Sequence, residues 1–285
     1  MKKTFITAIT LLASAVSNNA IAETEQRIIS VGSTATEIIY ALNKQDTLVA
    51  VDFSSRHQTA GSDIPEVGYH RQLSAEGLLS LAPDTIVGSA EMGPASTINT
   101  LKSAGVDVRE VSTGNDSSDL LTRIDEVATL THAGDEANLL KATVSNRFNA
   151  LEENQPAQAP KTVFVMLAEG RPMTVAGENT PVNSIITLAG GINPAQAQFD
   201  SYKPMSIEAI IEMQPDYILV AERSWEAMGE LDGILKKIPL LAATPAGSEQ
   251  RIIPVRSAAI INGFGLQSLD LAETLQHAFV NGTAK

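Results

Sequence analysis

The sequence predicts an α/β protein in which two doubly wound lobes are bridged by one long helix, with a cleft between the lobes. Three observations predict this fold. Short apolar runs alternate with amphipathic segments, which is typical of parallel sheets covered by helices. A segment of the first half recurs 132 positions later in the second half. Residues 135–153 contain neither Gly nor Pro and precede a linker rich in Pro and Ala.

The recurring segment has the same polar residues at the same offset in both halves. Its first copy carries Ser74, Glu76, Pro83 and Asp84, and its second copy carries Ser206, Glu208, Pro215 and Asp216. Two copies at domain-length spacing indicate two related lobes rather than a solenoid of short repeats. Only the first copy follows the cluster Tyr69-His70-Arg71, so we expect the binding chemistry to be one-sided.

The first 22 residues are typical of a secretory signal peptide. Lys2 and Lys3 precede a mostly apolar stretch over residues 5–16, and Ala20-Ile21-Ala22 supplies a small-x-small cleavage pattern. We predict cleavage after Ala22 and export. The formal charge of −13 becomes about −15 once the two lysines are removed, which argues against nucleic acid as a partner.

The sequence pattern of the first half predicts four strands and four helices in alternation. The strands are predicted at residues 27–31, 48–52, 85–88 and 106–111, and the helices at residues 36–42, 74–81, 96–103 and 119–130. Ser33 or Thr34 is expected to cap the first helix, with Glu37 in its first turn. Residues 53–65 lack apolar periodicity and are predicted to form a loop.

The bridging helix is predicted over residues 135–153, where apolar side chains recur at helical spacing. About 20 residues give a helix about 30 Å long. In the second half we predict strands at residues 162–167, 217–220 and 251–255, and helices at residues 179–188 and 266–279 besides the repeated one. The predicted division is a signal peptide (1–22), an N-terminal lobe (23–134), the bridging helix and linker (135–160) and a C-terminal lobe (161–285).

The residues offer little support for an enzyme. The chain has no Cys, no Gly-x-Ser-x-Gly elbow, no His-Glu-x-x-His spacing and no nucleotide-binding glycine motif. His132 and His277 are expected to be surface or capping residues. We therefore predict no catalytic residue. In doubly wound lobes ligands bind beyond the carboxyl ends of the strands, and with two lobes the predicted ligand site is the cleft between them.

The cluster Tyr69-His70-Arg71 allows two interpretations. In the first, Tyr69 packs under its loop and Arg71 forms a surface ion pair. In the second, a Tyr69 phenolate ligates a ferric ion while the Arg71 guanidinium stabilises that phenolate or binds an anion. Because free tyrosine titrates near about pH 10, the second interpretation needs a cation or metal beside it. Composition alone does not choose between them.

The segment from Gly68 to Gly77, GYHRQLSAEG, resembles the haem-ligand segment of periplasmic haem-binding proteins that supply ABC importers. The resemblance extends over nearly the whole mature chain and includes segments shared more loosely with cobalamin- and siderophore-binding relatives. These are residues 176–180, 188–191, 202–206 and 244–246. The resemblance implies two α/β lobes bridged by a helix, haem as the transported ligand and a location in the periplasm.

By this resemblance Tyr69 is the axial iron ligand and Arg71 its polar partner. Glu76 and Glu208 become the docking points, one per lobe, for a two-fold inner-membrane ABC permease driven by its ATPase, with haem supplied through an outer-membrane receptor. Matching acids on two lobes suit arginines on a two-fold partner. Alternatively, each acid has only a structural role and stabilises the N-terminus of its own helix by about 0.3–1 kcal/mol.

The chain also departs from the family pattern. Some members place a histidine opposite the tyrosine, but this sequence has no His between His132 and His277. Asn183, Met173 or water remain as candidates for the far side of the iron.

A second departure concerns the anionic groups of the ligand. Gly265-Leu266-Gln267 stands where the family often has Gly-Pro-Arg, so the propionate contact made by that arginine is missing here. Arg171 is a possible substitute for this contact. His70 is expected either to face solvent or to rest beside the porphyrin edge. The alternative functions are a ferric-siderophore or cobalamin binder of the same fold and, from another class, a secreted two-lobe enzyme.

Overall fold

The computed structural model describes residues 26–167 and 172–283, which contain nine strands and eleven α-helices. The strands are β1 (Ile28–Val31), β2 (Leu48–Val51), β3 (Thr85–Gly88), β4 (Asp107–Glu110), β5 (Thr162–Met166), β6 (Met173–Ala176), β7 (Tyr202–Met205), β8 (Tyr217–Ala221) and β9 (Ile252–Val255). The helices are α1 (Ser33–Ala41), α2 (Ala75–Ser80), α3 (Ala95–Ser103), α4 (Ser117–Thr131), α5 (Gly134–Glu153), α6 (Pro181–Leu188), α7 (Ile207–Glu212), α8 (Glu222–Met228), α9 (Glu230–Lys237), α10 (Pro245–Ser248) and α11 (Leu266–Asn281). The predicted signal peptide and its cleavage point lie outside the described residues.

The first sheet is wholly parallel and has the strand order β2-β1-β3-β4. β1 and β3 are buried along their whole length, whereas the edge strand β4 is mostly exposed. Continuous apolar runs are typical of strands covered on both faces. The alternation of strands and helices predicted for this half is confirmed.

The second sheet is mixed and has the order β7-β6-β5-β8-β9. β5, β8 and β9 are parallel, but β6 and β7 are antiparallel to their neighbours. The sequence analysis found the three parallel strands and missed β6 and β7. These strands are four residues each, and β7 contains Pro204, which a sheet tolerates at its edge because proline donates no ladder hydrogen bond.

The two copies of the repeated segment fold alike. Ser74 caps α2 by accepting a hydrogen bond from the Gly77 amide at 3.3 Å, and Ser206 caps α7 through the Ala209 amide at 3.3 Å. Each helix leads through a proline into a buried central strand, β3 or β8. The internal repeat is therefore a duplicated helix–strand unit, one in each sheet.

The first helix begins differently from the prediction. Ser33 and Thr34 do not cap α1; the residue before the helix is Gly32, which has φ +113° and no side-chain cap. The two hydroxyls instead donate to the carbonyls of Ala258 and Ile261, at 3.4 Å each. The capping prediction was wrong because a loop from the other half of the chain, residues 256–265, uses these hydroxyls.

Residues 256–265, called the crossing loop below, pack against α1 and α4 of the N-terminal half. Arg123 is fully buried on α4 and donates to the carbonyl of Phe264 at 2.5 Å. Glu37 on α1 accepts from the amides of Leu266 and Gln267, at 2.5 and 3.2 Å, at the start of α11. Burial raises the pKa of Glu37 to about 7, although these donors favour its charged form. The C-terminal helix is thus anchored on the first half.

The 20-residue helix α5 extends from Gly134 to Glu153, in agreement with the predicted long helix. It packs against α4, α6 and α11. Arg147 on α5 binds Asp270 at 2.6 Å and Glu273 at 2.7 Å on α11. One apolar cluster contains buried residues of both halves of the chain, so α5 lies on a core that the halves share. The predicted domain boundaries themselves stay predictions.

Within residues 26–167 and 172–283 there is no helix with the length and hydropathy needed to span a membrane.

Candidate functional site

A cleft of about 550 Å³ lies between the two halves at the ends of their sheets. A volume of 300–1,000 Å³ is typical of small-molecule sites. The N-terminal half contributes loops that follow β3 and β4 and the loop before α2. The residues of this wall are Tyr69, His70, Arg71, Glu91, Thr113 and Asn115.

The opposite wall is more apolar. It comes from β5, β7 and the start of α6, and its residues are Phe164, Met166, Asn179, Pro181 and Tyr202. The crossing loop closes the end of the cleft with residues 260–263. One wall therefore carries charged and phenolic groups, whereas the other offers aromatic, thioether and aliphatic surface. This combination suits a largely apolar ligand that also carries polar or anionic groups.

Tyr69 projects into the cleft from a loop without regular secondary structure. It is 44% exposed, an unusual fraction for a large aromatic residue in this protein. The loop turns at Gly68, where φ is +90°, and the Gly68 carbonyl accepts from the Phe53 amide at 2.8 Å. The Tyr69 ring packs on the His70 ring with centroids 4.2 Å apart. The phenol is thus presented to the cleft on a fixed support.

His70 lies beneath Tyr69 and is only 2% exposed. The solvent-facing alternative is therefore wrong, because the imidazole is enclosed between two carboxylates. Its Nδ1 is 3.5 Å from Oδ2 of Asp52, and its Nε2 is 3.7 Å from Oε2 of Glu91. These separations exceed good hydrogen-bond lengths, so the ring is enclosed but not tightly bonded.

Asp52 forms the floor of this cluster, at the carboxyl end of β2. It is fully buried and accepts from the Gly32 amide at 2.9 Å and from the Ser54 and Ser55 hydroxyls at 2.8 and 3.0 Å. Burial alone would raise the pKa of Asp52. The neighbouring His70 and these donors outweigh burial and hold its pKa below the ordinary value. A buried anion therefore supports His70 from below.

Arg71 pairs with Glu91, whose position after β3 the sequence analysis had not considered. The Arg71 Nη2 lies 2.5 Å from Oε1 of Glu91, and the side chains are 55% and 43% exposed. Hydrogen bonding to Glu91 raises the pKa of Arg71 above its ordinary value. The Arg71 ion pair of the first interpretation is thus present, but it lies in the wall of the cleft.

A second tyrosine, Tyr202, lines the opposite wall. Burial raises the pKa of Tyr202 to about 12, and its ring stands edge-on to Phe164 with centroids 6.4 Å apart. A buried phenol of this kind stays protonated and serves as apolar wall. Of the two tyrosines in the cleft, Tyr69 is the one suited to ligation.

Asn262 in the crossing loop is a polar residue of the cleft whose side chain makes no hydrogen bond. Its side chain is 9% exposed, and both amide atoms lack a hydrogen-bond partner. The Asn262 backbone has φ +61°. Its side chain lies so close to Gly32 that a Cβ atom added to Gly32 would be 3.3 Å from the Asn262 Cγ. The crossing loop thus places an amide where the carboxyl end of β1 meets the cleft.

Of the other predicted site residues, Asn183 and Met173 lie apart from the cleft. Arg171 lies outside the described residues. Asn183 on α6 accepts from Asn193 at 3.0 Å, and Met173 lines a shallow groove beside Glu208. Neither of the two is among the residues that line the cleft.

The two predicted docking acids are exposed in matching places. Glu76 lies in the first turn of α2 and Glu208 in the first turn of α7. The backbone amide and the Ser206 hydroxyl lower the pKa of Glu208. Both carboxylates are available to a partner.

Glu91, Met166, Tyr202 and Asn262 were not predicted as site residues. Glu91 had a usable signal, because it follows a predicted strand whose carboxyl end belongs to the binding edge of the sheet. Asn262 had none, since only the path of the crossing loop brings it there. Within the described parts of the chain, no cluster of three or more His, Cys, Asp or Glu could hold a metal ion.

Fold and cleft together define a two-lobed α/β binding protein with its ligand site between the lobes. Residues 28–259 match the family model described as periplasmic binding protein. The chain belongs to this family, whose members and structural neighbours are ligand-binding transport proteins.

Solved structures of similar proteins cover nearly the whole chain. The periplasmic haem-binding protein HutB of Vibrio cholerae is 43% identical, with a TM-score of 0.84, and covers 89% of this chain and 98% of its own. The periplasmic haem-binding protein RhuT from Roseiflexus sp. RS-1 is 34% identical, with a TM-score of 0.83, and covers 92% and 100%. A vitamin B12-binding protein of Vibrio campbellii is 28% identical over 198 residues, 70% of this chain and 71% of that protein.

Proposed function

We propose that this protein binds haem in the cleft between its lobes and delivers it to an ABC permease in the inner membrane. The observation that carries the proposal is Tyr69, a half-exposed phenol fixed on the polar wall of a cleft whose opposite wall is largely apolar. A tyrosinate is an established type of haem-iron ligand. The similarity to two haem-binding structures across nine-tenths of the chain supports the same ligand.

The two walls of the cleft have different roles in binding. Phe164, Met166 and Tyr202 supply apolar surface for the porphyrin faces, at about 25 cal/mol per Å² of apolar area removed from water. Tyr69 adds selectivity for iron. Arg71 lies two residues further along the same loop and supplies the positive charge that favours the phenolate form. His70 supports the Tyr69 ring from beneath. Arg171 remains a proposed contact for the anionic edge of the ligand.

Delivery depends on parts of the chain outside the cleft. The N-terminal 22 residues direct export, with cleavage after Ala22, and the mature protein works in the periplasm. Glu76 and Glu208 dock on the two halves of the permease, and ATP hydrolysis belongs to that partner. Haem reaches the protein from an outer-membrane receptor system. The protein itself catalyses no reaction.

Cobalamin is the second candidate, favoured by the vitamin B12-binding relatives. Ferric siderophores are a third ligand class for this fold. Cobalamin does not require a tyrosinate, so Tyr69 separates cobalamin from haem. A role for Tyr69 in binding is expected only for an iron-containing ligand.

A visible-absorption titration with hemin tests the proposal. Purified mature protein is compared with Tyr69→Phe, and Tyr202→Phe is the matched control from the opposite wall. We expect the wild type to saturate with the charge-transfer band of a high-spin tyrosinate complex. Tyr69→Phe should lose that band and bind at least about 10-fold more weakly, since loss of a metal ligand costs more than 1.4 kcal/mol. Tyr202→Phe should keep the band.

The same titration with cyanocobalamin decides between the candidates. Saturation by cyanocobalamin without any saturable response to hemin would move the assignment to cobalamin. A tyrosinate band that survives Tyr69→Phe would show that another residue ligates the iron.

A further inference from the structure

Glu91 is a charged residue in the cleft wall to which the proposed function gives no role. Its two carboxylate oxygens face two different residues of the Tyr69-His70-Arg71 cluster. Oε1 lies 2.5 Å from Nη2 of Arg71, and Oε2 lies 3.7 Å from Nε2 of His70. An acid at this position works against an anionic ligand and against a phenolate at Tyr69, because all three are negative.

The backbone fixes this pairing. The Gly93 amide donates to the His70 carbonyl at 2.9 Å, and the Leu73 amide donates to the Gly93 carbonyl at 2.8 Å. The Glu91 amide itself donates to the Ser89 hydroxyl at 3.2 Å. The loop after β3 and the loop before α2 are therefore held side by side, with Glu91 opposite Arg71. The pair is a built feature of the wall and not a chance contact of two long side chains.

We infer that Glu91 is a specificity-determining residue, an internal carboxylate that competes with the bound ligand and the Tyr69 phenolate for the Arg71 guanidinium. This inference rests on the proposed function. In the empty cleft Glu91 occupies and orients Arg71. When an anionic, iron-containing ligand enters, Arg71 turns part of its hydrogen bonding toward the new negative charge.

The exposure of the pair makes this exchange inexpensive. Arg71 and Glu91 are about half exposed, and ion pairs of such exposure contribute little net free energy. Arg71 has five N–H donors, of which the pair with Glu91 uses one nitrogen. The competition consequently lowers affinity by a modest factor. For a carrier that must release its cargo to a partner, a modest reduction in affinity is useful because it speeds dissociation.

The test measures hemin dissociation constants at low and high salt for the wild type, Glu91→Gln, Arg71→Ala and the double variant. Glu91→Gln preserves shape and removes the charge. We expect it to bind hemin about 3- to 5-fold more tightly than the wild type, the range of a half-exposed ion pair. Its affinity should also fall more steeply with salt, because Arg71 then meets the ligand anion without a competitor. A purely structural role of Glu91 would not change this salt dependence.

Two comparisons make the result specific. In the Arg71→Ala background, Glu91→Gln should give no gain beyond about twofold, since the gain acts through Arg71. The control is Glu153→Gln, which removes the same charge from an exposed residue at the end of α5. It should leave hemin binding unchanged. Thermal unfolding checks that each variant is folded.

Several outcomes would overturn the inference. If Glu91→Gln binds hemin with the affinity of the wild type, Glu91 has no effect on binding. If it binds hemin more weakly, Glu91 assists binding by positioning Arg71. A gain that persists in Arg71→Ala would place the competition elsewhere. If the wild type does not bind hemin at all, the proposed function fails and this inference falls with it. If the wild type binds and only the Glu91 effect is missing, the proposed function stands.

Discussion

The two copies of the repeated segment share a scaffold and differ in what leads into it. In both copies a serine caps the helix and an acid lies in its first turn. In both, an aspartate ties the following strand to the first strand of its sheet: Asp84 accepts from the Arg27 amide at 3.0 Å, and Asp216 from the Lys161 amide at 2.8 Å. The duplicated residues are thus those that hold helix, turn and sheet together.

The five residues before each serine have different structures. Residues 201–205 include strand β7, whose backbone pairs with β6, and Tyr202 is largely buried there. The equivalent residues 69–73 form a loop, from which Tyr69, His70 and Arg71 line the cleft. The two lobes thus differ in whether these five residues are free of sheet hydrogen bonds, as in the first lobe, or form a strand, as in the second. On one side that freedom presents Tyr69, and on the other side a strand supplies an apolar wall.

The largest expected effect concerns the two exposed acids. If the copies dock symmetrically, Glu76→Lys and Glu208→Lys should each lower haem-dependent uptake at least about 10-fold, because a like charge then faces the permease. Hemin affinity should stay within a factor of two, since neither acid lines the cleft. Uptake into cells or proteoliposomes and a hemin titration measure the two quantities.

The matched control for docking is Glu153→Lys, which makes the same charge change at an exposed residue away from both helices. It should leave uptake unchanged. A loss confined to one of the two docking variants would break the symmetry between the lobes. Loss of hemin affinity in either variant would assign the acid to the cleft instead.

The next largest effect concerns the contribution of Asp84 and Asp216 to the stability of the fold. Asp84→Ala and Asp216→Ala should each lower the free energy of unfolding by about 1–2 kcal/mol, because each leaves a backbone amide without its charged acceptor. Asp216 is the less exposed of the two, so its replacement should cost slightly more. Urea unfolding measures both. A cost in only one variant would mean that the duplicated residue kept its role in one lobe alone.

The smallest effect concerns the helix caps. Ser74→Ala and Ser206→Ala should each cost about 1 kcal/mol of unfolding free energy, the usual contribution of an N-cap hydroxyl. The cap bonds have equal length, so we expect equal costs. Thermal or urea unfolding measures them, with Ser74→Thr and Ser206→Thr as variants that retain a capping oxygen. A cap whose removal costs nothing would mark that copy as held by packing alone.

Most of the fold was predictable from local patterns. The apolar runs at residues 28–31, 85–88 and 217–221 are buried strands, and the stretch without Gly or Pro is the long helix α5. Two strands escaped prediction. β6 and β7 are short and lie toward one edge of their sheet, and their pairing partners rather than their own sequences make them strands.

The candidate site was predictable only in part. Tyr69, His70 and Arg71 were singled out as neighbours in the sequence, and all three line the cleft. The pairing of Arg71 with Glu91 joins residues 20 positions apart. The position of Asn262 depends on a loop that returns from the other half of the chain. No local pattern carries such information.

By itself the sequence determined the alternation of strands and helices, the duplicated scaffold and the tyrosine-bearing loop, because these follow from side-chain periodicity and short-range hydrogen bonds. Only the tertiary structure decided the environment of those side chains. It buried His70 between Asp52 and Glu91, and it raised the pKa of Tyr202 while leaving Tyr69 half exposed. The physical reason is that burial and charge pairing arise between segments distant in the chain, whereas periodicity is a property of each segment alone.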